Sequence, residues 1–130
     1  MPIKELTPYL NFNGNAREAI KLYQAALGAK IEGEEMPFEK DPTRIMHARI
    51  KLGPGIVMLS DAPPNMTVPA ESNAHVSLDY SDVNEMKQAF ELLSAGGKVT
   101  MPLQDTFWGA TFGMLTDRFN IRWMFNCNKR

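Results

Sequence analysis

Apolar residues recur along this chain with two different periods. In two segments they recur every three or four residues, which is typical of an amphipathic helix. The first segment follows Asn13-Gly14-Asn15 and ends at Gly28, and the second follows Ser81-Asp82 and ends at Gly96-Gly97. The polar residues at the beginning of each segment are helix-capping types, and glycine at the end allows the left-handed backbone that closes a helix. We therefore predict two helices.

Apolar and polar residues alternate in the remaining segments, as they do in strands with one buried face. Predicted strands precede each helix, and three more follow it. These cover residues 30–34, 45–52 and 56–61 after the first helix, and 98–103, 111–116 and 121–126 after the second. A Pro-rich polar segment, 62–73, separates the two groups. The chain is thus predicted to be one domain with a βαβββ module at 1–61, a linker at 62–73 and a second βαβββ module at 74–130.

The two predicted modules are similar to each other in sequence. "ALGAKIE" and "SAGGKVT" both close a helix and open a strand, and Lys30 matches Lys98 at an offset of 98 − 30 = 68. The same offset aligns "YLNFNGNA" with "SLDYSDVN". A repeat of this kind indicates that one module does not bury its apolar face alone.

Composition excludes several classes of function. The chain has 130 residues and a formal net charge of −1, whereas a nucleic-acid-binding protein is expected to carry a basic stripe. No apolar run reaches the length of about 20 residues that spans a bilayer, and the first residues do not resemble a secretory signal. A single cysteine, Cys127, forms no internal disulfide. We therefore expect a cytoplasmic protein with no nucleic-acid or membrane partner.

Three stretches carry a resemblance to a known family. They are "YLNFNGNAREAIKLY", "IMHARIKLGPGIVMLSDAPP" and "DTFWGATFGMLTDRFNIRWMFN". Together they resemble the PhnB-like branch of the vicinal oxygen chelate superfamily, which includes glyoxalase I and the bleomycin-resistance proteins. The resemblance implies an α+β fold in which two βαβββ modules form an open mixed-sheet barrel around a ligand cavity, commonly in a homodimer. The chain has no glycine-rich loop of the kind that binds S-adenosylmethionine, so a methyltransferase function is not expected. We expect no cofactor.

The resemblance also implies where a metal would bind. In metal-using members, the first and last strands of each module each give one ligand, typically His or Glu, which suit a divalent catalytic ion. The internal repeat assigns these positions to Thr7, Met58, His75 and Met124, so that one of four ligands is present. We therefore predict no complete metal site. A shift of register in the last strands would instead bring Ser60 or Asp61 into the ligand set.

Strand alternation separates a core face from a candidate ligand face. In the final strand, Trp123 and Phe125 share one side with Ile121 and are expected to be core, whereas Met124 lies on the other. His47 shares a face with Ile45, Arg49 and Lys51, and faces either solvent or the cavity. Trp108 lies in a loop, at the cavity mouth or in a dimer interface. The predicted ligand-binding residues are Tyr9, Asn11, His47, Met58, Ser60, His75, Trp108 and Met124.

Three hypotheses of function follow. The first is a PhnB-like protein that binds a small molecule without a complete metal site. The second is a metal-dependent lyase, isomerase or dioxygenase whose ligands follow a shifted register. The third is a dimeric protein whose cavity is filled by its own side chains.

Overall fold

The computed structural model describes residues 2–128 and has an α+β fold of two compact units, Met1–Val68 and Pro69–Arg130. The first unit contains β1 (Tyr9–Phe12), α1 (Ala16–Leu27), β2 (Lys30–Ile31), β3 (Met36–Pro37), β4 (Ile45–Leu52) and β5 (Gly55–Asp61). The second contains β6 (Val76–Tyr80), α2 (Val83–Ser94), β7 (Lys98–Asp105), β8 (Ala110–Thr116) and β9 (Arg122–Asn128). The boundary between the units lies within the Pro-rich segment 62–73.

Both units have the same sheet topology. The strand order is β1-β5-β4-β2 in the first unit and β6-β9-β8-β7 in the second. In each unit the first and last strands pair in parallel and lie side by side, while the other neighbouring strands in this order pair antiparallel. Two βαβββ modules are therefore present, as the repeat predicts, with β3 as an additional short strand that pairs with β4 in the first unit.

The segment between α1 and β4 differs from the sequence prediction. The strand expected over 30–34 covers only Lys30–Ile31, although the Glu32 amide still bonds to the Arg49 carbonyl at 2.9 Å. Gly33 then takes a left-handed conformation, with φ of 76°, which ends the extended backbone. Strand β3 was not predicted, because its two residues include a proline and follow a run of glutamates.

Each helix covers one face of its own sheet. Helix α1 packs on β4 and β5, and α2 packs on all four strands of the second sheet. In the second unit, Trp123 and Phe125 are fully buried, and the Phe90 ring meets the Phe125 ring edge-on at 5.1 Å. Tyr80 stacks on Phe125 at 5.8 Å. Burial raises the pKa of Tyr80 above its usual 10.0, and the nearby Glu85 carboxylate raises it further.

The two helices are capped differently. The Asp82 carboxylate caps α2 locally, since it accepts hydrogen bonds from the amides of Asn84 and Glu85. Asn15, the expected cap of α1, makes no capping hydrogen bond with its side chain. Its role is taken by the buried Asp61 at the end of β5, whose Oδ1 accepts from the amides of Gly14 at 2.8 Å and Ala16 at 3.0 Å.

Candidate functional site

The face of the first sheet opposite α1 is here called the first open face. On it, Met58 of β5 stands directly opposite Tyr9 of β1 and Arg49 of β4, and Asn11 stands opposite Ser60. Directly paired residues project to the same side of a sheet, so these side chains share the open face. Their strand neighbours, including Leu10, Ala48 and Leu59, are buried on the helix side. Strand alternation therefore presents a mixed polar and apolar surface.

Side chains on the first open face contact one another across strands. The Tyr9 hydroxyl lies 3.2 Å from His47 Nδ1, and their ring centroids are 5.9 Å apart. This contact crosses β5, because Tyr9 and His47 belong to the strands on its two sides. The Ser60 hydroxyl donates to Asn11 Oδ1 at 3.3 Å. The structure thus brings together five of the predicted residues, namely Tyr9, Asn11, His47, Met58 and Ser60.

The beginning of β4 departs from the predicted alternation. Strand alternation predicts that Ile45 shares a face with His47 and that Met46 shares the buried face of Ala48. Instead, Ile45 is fully buried and Met46 is 45% exposed. A register irregularity opposite this point, between Met36 and Pro37 of β3, accompanies the change. In addition, Asp61 Oδ2 accepts a hydrogen bond from the Ile45 amide at 2.8 Å, which holds this residue against the core.

The corresponding surface of the second sheet, opposite α2, is the second open face. Met124 of β9 stands opposite Ser77 of β6 and Met114 of β8. One pair further along, Asn126 stands opposite Asp79 and donates from Nδ2 to the Asp79 carboxylate at 2.7 Å. Since Trp123 and Phe125 are buried beneath α2, Met124 lies on the side away from the helix.

The strand registers establish which residues of the two units are equivalent. Tyr9 stands opposite Met58 and Ser77 stands opposite Met124, and 77 − 9 = 68 is the offset of the sequence repeat. Met58 and Met124 therefore occupy equivalent positions. The pairs Asn11–Ser60 and Asp79–Asn126 are equivalent too, and each is hydrogen bonded. At these equivalent positions, each open face thus carries a methionine of its last strand and, next along the strands, a polar pair.

The residues at the family's metal positions do not fit a divalent ion. Two of the four are the thioethers Met58 and Met124, and the Thr7 hydroxyl instead donates to the Glu5 carboxylate at 3.5 Å. Thioethers are poor ligands for hard or borderline divalent ions. Within residues 2–128, no group of three or more His, Cys, Asp or Glu side chains is placed to hold a metal ion.

The two substitute ligands suggested by a shifted register have other partners. Ser60 is bonded to Asn11 on the first open face. Asp61 lies on the helix side, where its two carboxylate oxygens accept three hydrogen bonds from the backbone amides of Gly14, Ala16 and Ile45. Asp61 therefore fixes the beginnings of α1 and β4, and these hydrogen bonds give it a structural role.

The remaining predicted residues, His75 and Trp108, lie at different places in the second unit. His75 is exposed, directly precedes β6, and lines a groove of about 630 Å³. Trp108 lies in the turn between β7 and β8, is 57% exposed, and has its ring 5.1 Å from Phe107 and 6.3 Å from Phe112. Phe107 is 98% exposed.

Several residues of the open faces were not predicted from the sequence. They are Arg49 beside Met58, Met114 beside Met124, and the groove residues Lys98, Thr116 and Arg122. Strand pairing determines where these residues lie. The repeat offset aligns the first strands of the two units, but it does not give the pairing of the inner strands.

This repeated fold and its open faces define a class of protein. A family model, the Glyoxalase/Bleomycin resistance protein/Dioxygenase superfamily, matches residues 6–125. The chain belongs to this superfamily.

Similar proteins come from several bacteria. The chain is 37% identical to Protein YjdN of Escherichia coli K12 over an alignment of 142 positions, which covers 96% of each protein. Its fold matches the crystal structure of protein PA1353 from Pseudomonas aeruginosa with a TM-score of 0.85 and 38% identity, covering 98% of this chain and 100% of that one. The match to a Bacillus cereus PhnB protein, described as a putative 3-demethylubiquinone-9 3-methyltransferase, has a TM-score of 0.80 at 21% identity and covers 95% and 99% of the two chains. Between residues 2 and 128, neither helix is long and apolar enough to cross a membrane.

Proposed function

We propose that this chain is a PhnB-like small-molecule-binding protein that works without a complete metal site. The ligand contacts are side chains of the open faces and the residues beside them. In the first unit they are Tyr9, Asn11, His47, Met58 and Ser60, and in the second they are His75, Trp108 and Met124.

One observation carries this proposal, namely that both open faces have a half-exposed methionine and, next along the strands, a hydrogen-bonded polar pair. A sheet face that contacts only water is expected to be polar. These faces instead expose Met58, Met114 and Met124, whose flexible and polarisable side chains adapt to apolar ligands of different shapes. A few fixed polar groups beside them give a ligand its orientation.

The Tyr9–His47 pair gives the first open face its most versatile polar group. A phenol donates a hydrogen bond through its O–H, and imidazole accepts or donates according to its tautomer. At 3.2 Å the two side chains fix each other, and Nε2 of His47, which has no hydrogen-bond partner among residues 2–128, is available to a ligand. The proposal assigns this pair a role in binding and orientation.

Native mass spectrometry of freshly purified protein tests the proposal. We expect a mass excess over the polypeptide that disappears on denaturation and that corresponds to an organic molecule. Elemental analysis of the same preparation measures its metal content, and a stoichiometric metal ion would favour metal-dependent catalysis over binding alone. A protein that carries no organic molecule, and that binds none in a ligand-observed NMR screen of small fragments, contradicts the proposal and favours the hypothesis of a filled cavity.

The proposal also includes a cytoplasmic homodimer. A single cysteine and a near-neutral net charge are consistent with the cytoplasm. The exposed rings of Phe107 and Trp108 form an apolar patch that a second copy of the chain would cover.

A further inference from the structure

A groove of about 630 Å³ lies at one end of the second open face. Its walls come from the turn at residues 96–97 after α2, the beginning of β7, the turn at residues 117–120 after β8, and His75. The volume is within the range of about 300–1,000 Å³ that is usual for small-molecule pockets. Its lining includes the three cationic side chains Lys98, Arg118 and Arg122.

Strand pairing arranges four of the lining residues in a row. Lys98 stands opposite Thr116, and Thr116 stands opposite Arg122. Val76 stands opposite Trp123, so that the preceding residues, His75 and Arg122, are the next neighbours on the open side. With strands about 4.8 Å apart, the row Lys98–Thr116–Arg122–His75 spans about 14 Å. An ammonium, a hydroxyl, a guanidinium and an imidazole therefore stand side by side across the sheet.

The cations of the groove form no ion pair with an acidic side chain of the described residues. Within residues 2–128, none of Lys98, Arg118 and Arg122 is in an ion pair, and the three ion pairs present all belong to the first unit. The acidic residue that lines the groove, Asp117, is buried, and its oxygens accept from the amides of Phe119 and Ile121 and from the Trp123 indole. The Asp117 carboxylate thus accepts hydrogen bonds from the backbone that follows it and from Trp123 of β9.

Arg118 is held in place by contacts other than an ion pair. Its guanidinium carbon lies 5.2 Å from the centroid of the Phe119 ring, in a cation–π arrangement. Its aliphatic carbons lie so close to Gly96 that a Cβ there would be 3.1 Å from Arg118 Cδ. Arg118 therefore lines the groove with its side chain packed against Phe119 and Gly96.

The first unit shows that the fold does not require this row. There, Lys30 stands opposite Lys51, and Lys51 stands opposite Ile56. Ile56 is the counterpart of Arg122, and Thr7 is the counterpart of His75. The first unit thus has an ammonium, an alkyl group and a hydroxyl where the second has a hydroxyl, a guanidinium and an imidazole, so the adjacent guanidinium and imidazole are specific to the second unit.

We propose that this groove binds the anionic group, a carboxylate or a phosphate, of a small organic molecule. Arg122 provides the planar pair of N–H donors that matches either group, while Thr116 and Lys98 donate from one side and His75 from the other. Met114, which also lines the groove, contacts the organic part. The inference rests on the proposed function, and it adds the chemical class of the ligand and the unit that recognises its charge.

The test is an NMR titration of the full, ¹⁵N-labelled chain at low ionic strength with three probes of similar size. These are phenyl phosphate, benzoate and the neutral benzyl alcohol. We expect saturable shifts of the amide signals of Gly97, Lys98 and Thr116 with at least one anion, and binding of that anion at least about tenfold tighter than binding of benzyl alcohol. The better anion distinguishes phosphate from carboxylate as the source of the charge.

Charge-removing variants show whether the row carries the binding. Lys98→Gln and Arg122→Gln should each weaken anion binding about tenfold, and Lys98 is exposed, so its replacement is not expected to disturb folding. Lys30→Gln, which removes the same charge from the equivalent position of the first unit, should leave binding unchanged. Binding that weakens as salt is added supports the same conclusion.

Three results would overturn the inference. The first is the absence of saturable shifts from both anions. The second is equal binding of benzyl alcohol and the anions. The third is anion binding that Lys98→Gln and Arg122→Gln leave unchanged in folded protein. The proposed function is judged separately, by the organic molecule retained on the wild-type chain, so an adduct without anion binding refutes only this inference.

Discussion

The Asp61 side chain connects parts of the first unit that are far apart in the sequence. Three backbone amides, from Gly14, Ala16 and Ile45, donate to one buried carboxylate. Asp61→Ala leaves these amides without that acceptor, and we expect it to lower the free energy of unfolding by about 3 kcal/mol or more. Chemical denaturation with urea measures this change.

Asp82→Ala is the matched control for Asp61, because Asp82 also caps a helix but does so locally and in an exposed position. It should cost about 1 kcal/mol, as is usual for an N-cap. Equal losses for the two variants would show that Asp61 contributes no more than an ordinary helix cap.

Sequence patterns predict interactions between nearby residues better than interactions between residues far apart in the sequence. Asp82 as a cap, and Trp123 and Phe125 as core, follow from spacing within a few positions, and the structure places all three as expected. The bond from Asp61 to Ala16 joins residues 45 positions apart, and no local pattern signals it. For the same reason, local sequence leaves Ser60 and Asp61 as candidate metal ligands, whereas the structure gives both side chains hydrogen-bond partners within the protein.

At the scale of elements, the close packing of two turns in the second unit depends on Gly97. A Cβ on Gly97 would lie 2.3 Å from the Thr116 carbonyl oxygen and 2.9 Å from Asp117 Cα. Backbone atoms cannot move aside as a flexible side chain does. We therefore expect Gly97→Ala to separate the beginning of β7 from the end of β8 and to cost about 1–3 kcal/mol.

Gly55→Ala is the control for this prediction, because a Cβ there meets only the Leu52 carbonyl oxygen at 3.7 Å, an ordinary contact distance. Its unfolding midpoint should match that of the wild type closely. If Gly97→Ala is equally neutral, the connection after α2 is looser than its geometry indicates.

The elements themselves were largely predictable, and the exceptions have physical causes. Helix ends at Gly28 and Gly96 follow from glycine's access to the left-handed conformation, with φ of 68° and 75° at these positions. The short strand β3 is held by pairing with β4 rather than by its own sequence, since Met36 and Pro37 have no alternating pattern. Pairing across a sheet is a tertiary interaction, so local sequence indicates it poorly.

At the scale of the whole molecule, we predict a homodimer. Exposed apolar rings such as Phe107 and Trp108 are expensive to leave in water, and symmetric pairing is the commonest way to cover them. Sedimentation velocity at tens of micromolar protein should show a species of twice the chain mass. A monomer alone at that concentration would contradict the prediction.

Trp108→Ser distinguishes the two roles proposed for this side chain. Weaker dimerisation with an unchanged ligand would place Trp108 in the interface, and loss of the ligand from an intact dimer would place it at the binding site.

We also predict that the purified protein retains no stoichiometric Zn, Ni, Mn or Fe, because Thr7, Met58 and Met124 stand where the family's metal ligands are expected. Elemental analysis by mass spectrometry measures this directly. About one ion per chain, lost in His75→Ala, would show that the protein is a metal-dependent member of the superfamily.

The two sides of β9 should respond in opposite ways to substitution. Trp123 is fully buried and donates its indole N–H to Asp117 at 2.9 Å. Trp123→Ala should therefore cost about 3–5 kcal/mol, as the truncation of a buried aromatic residue does. Met124 lies on the second open face, so Met124→Trp should leave the melting temperature nearly unchanged. A loss of stability equal to that of Trp123→Ala would make Met124 part of the core.

Native mass spectrometry of folded Met124→Trp, beside the wild type, tests the central claim most directly. The larger ring occupies the second open face at Met124, the counterpart of Met58 in the first unit. Met66→Trp provides a substitution of the same size at an exposed loop residue that lies outside both sheets. We predict that the organic molecule retained by the wild type is present on Met66→Trp and absent from Met124→Trp. Retention of the same molecule by both variants would contradict the assignment of the open face as the ligand site.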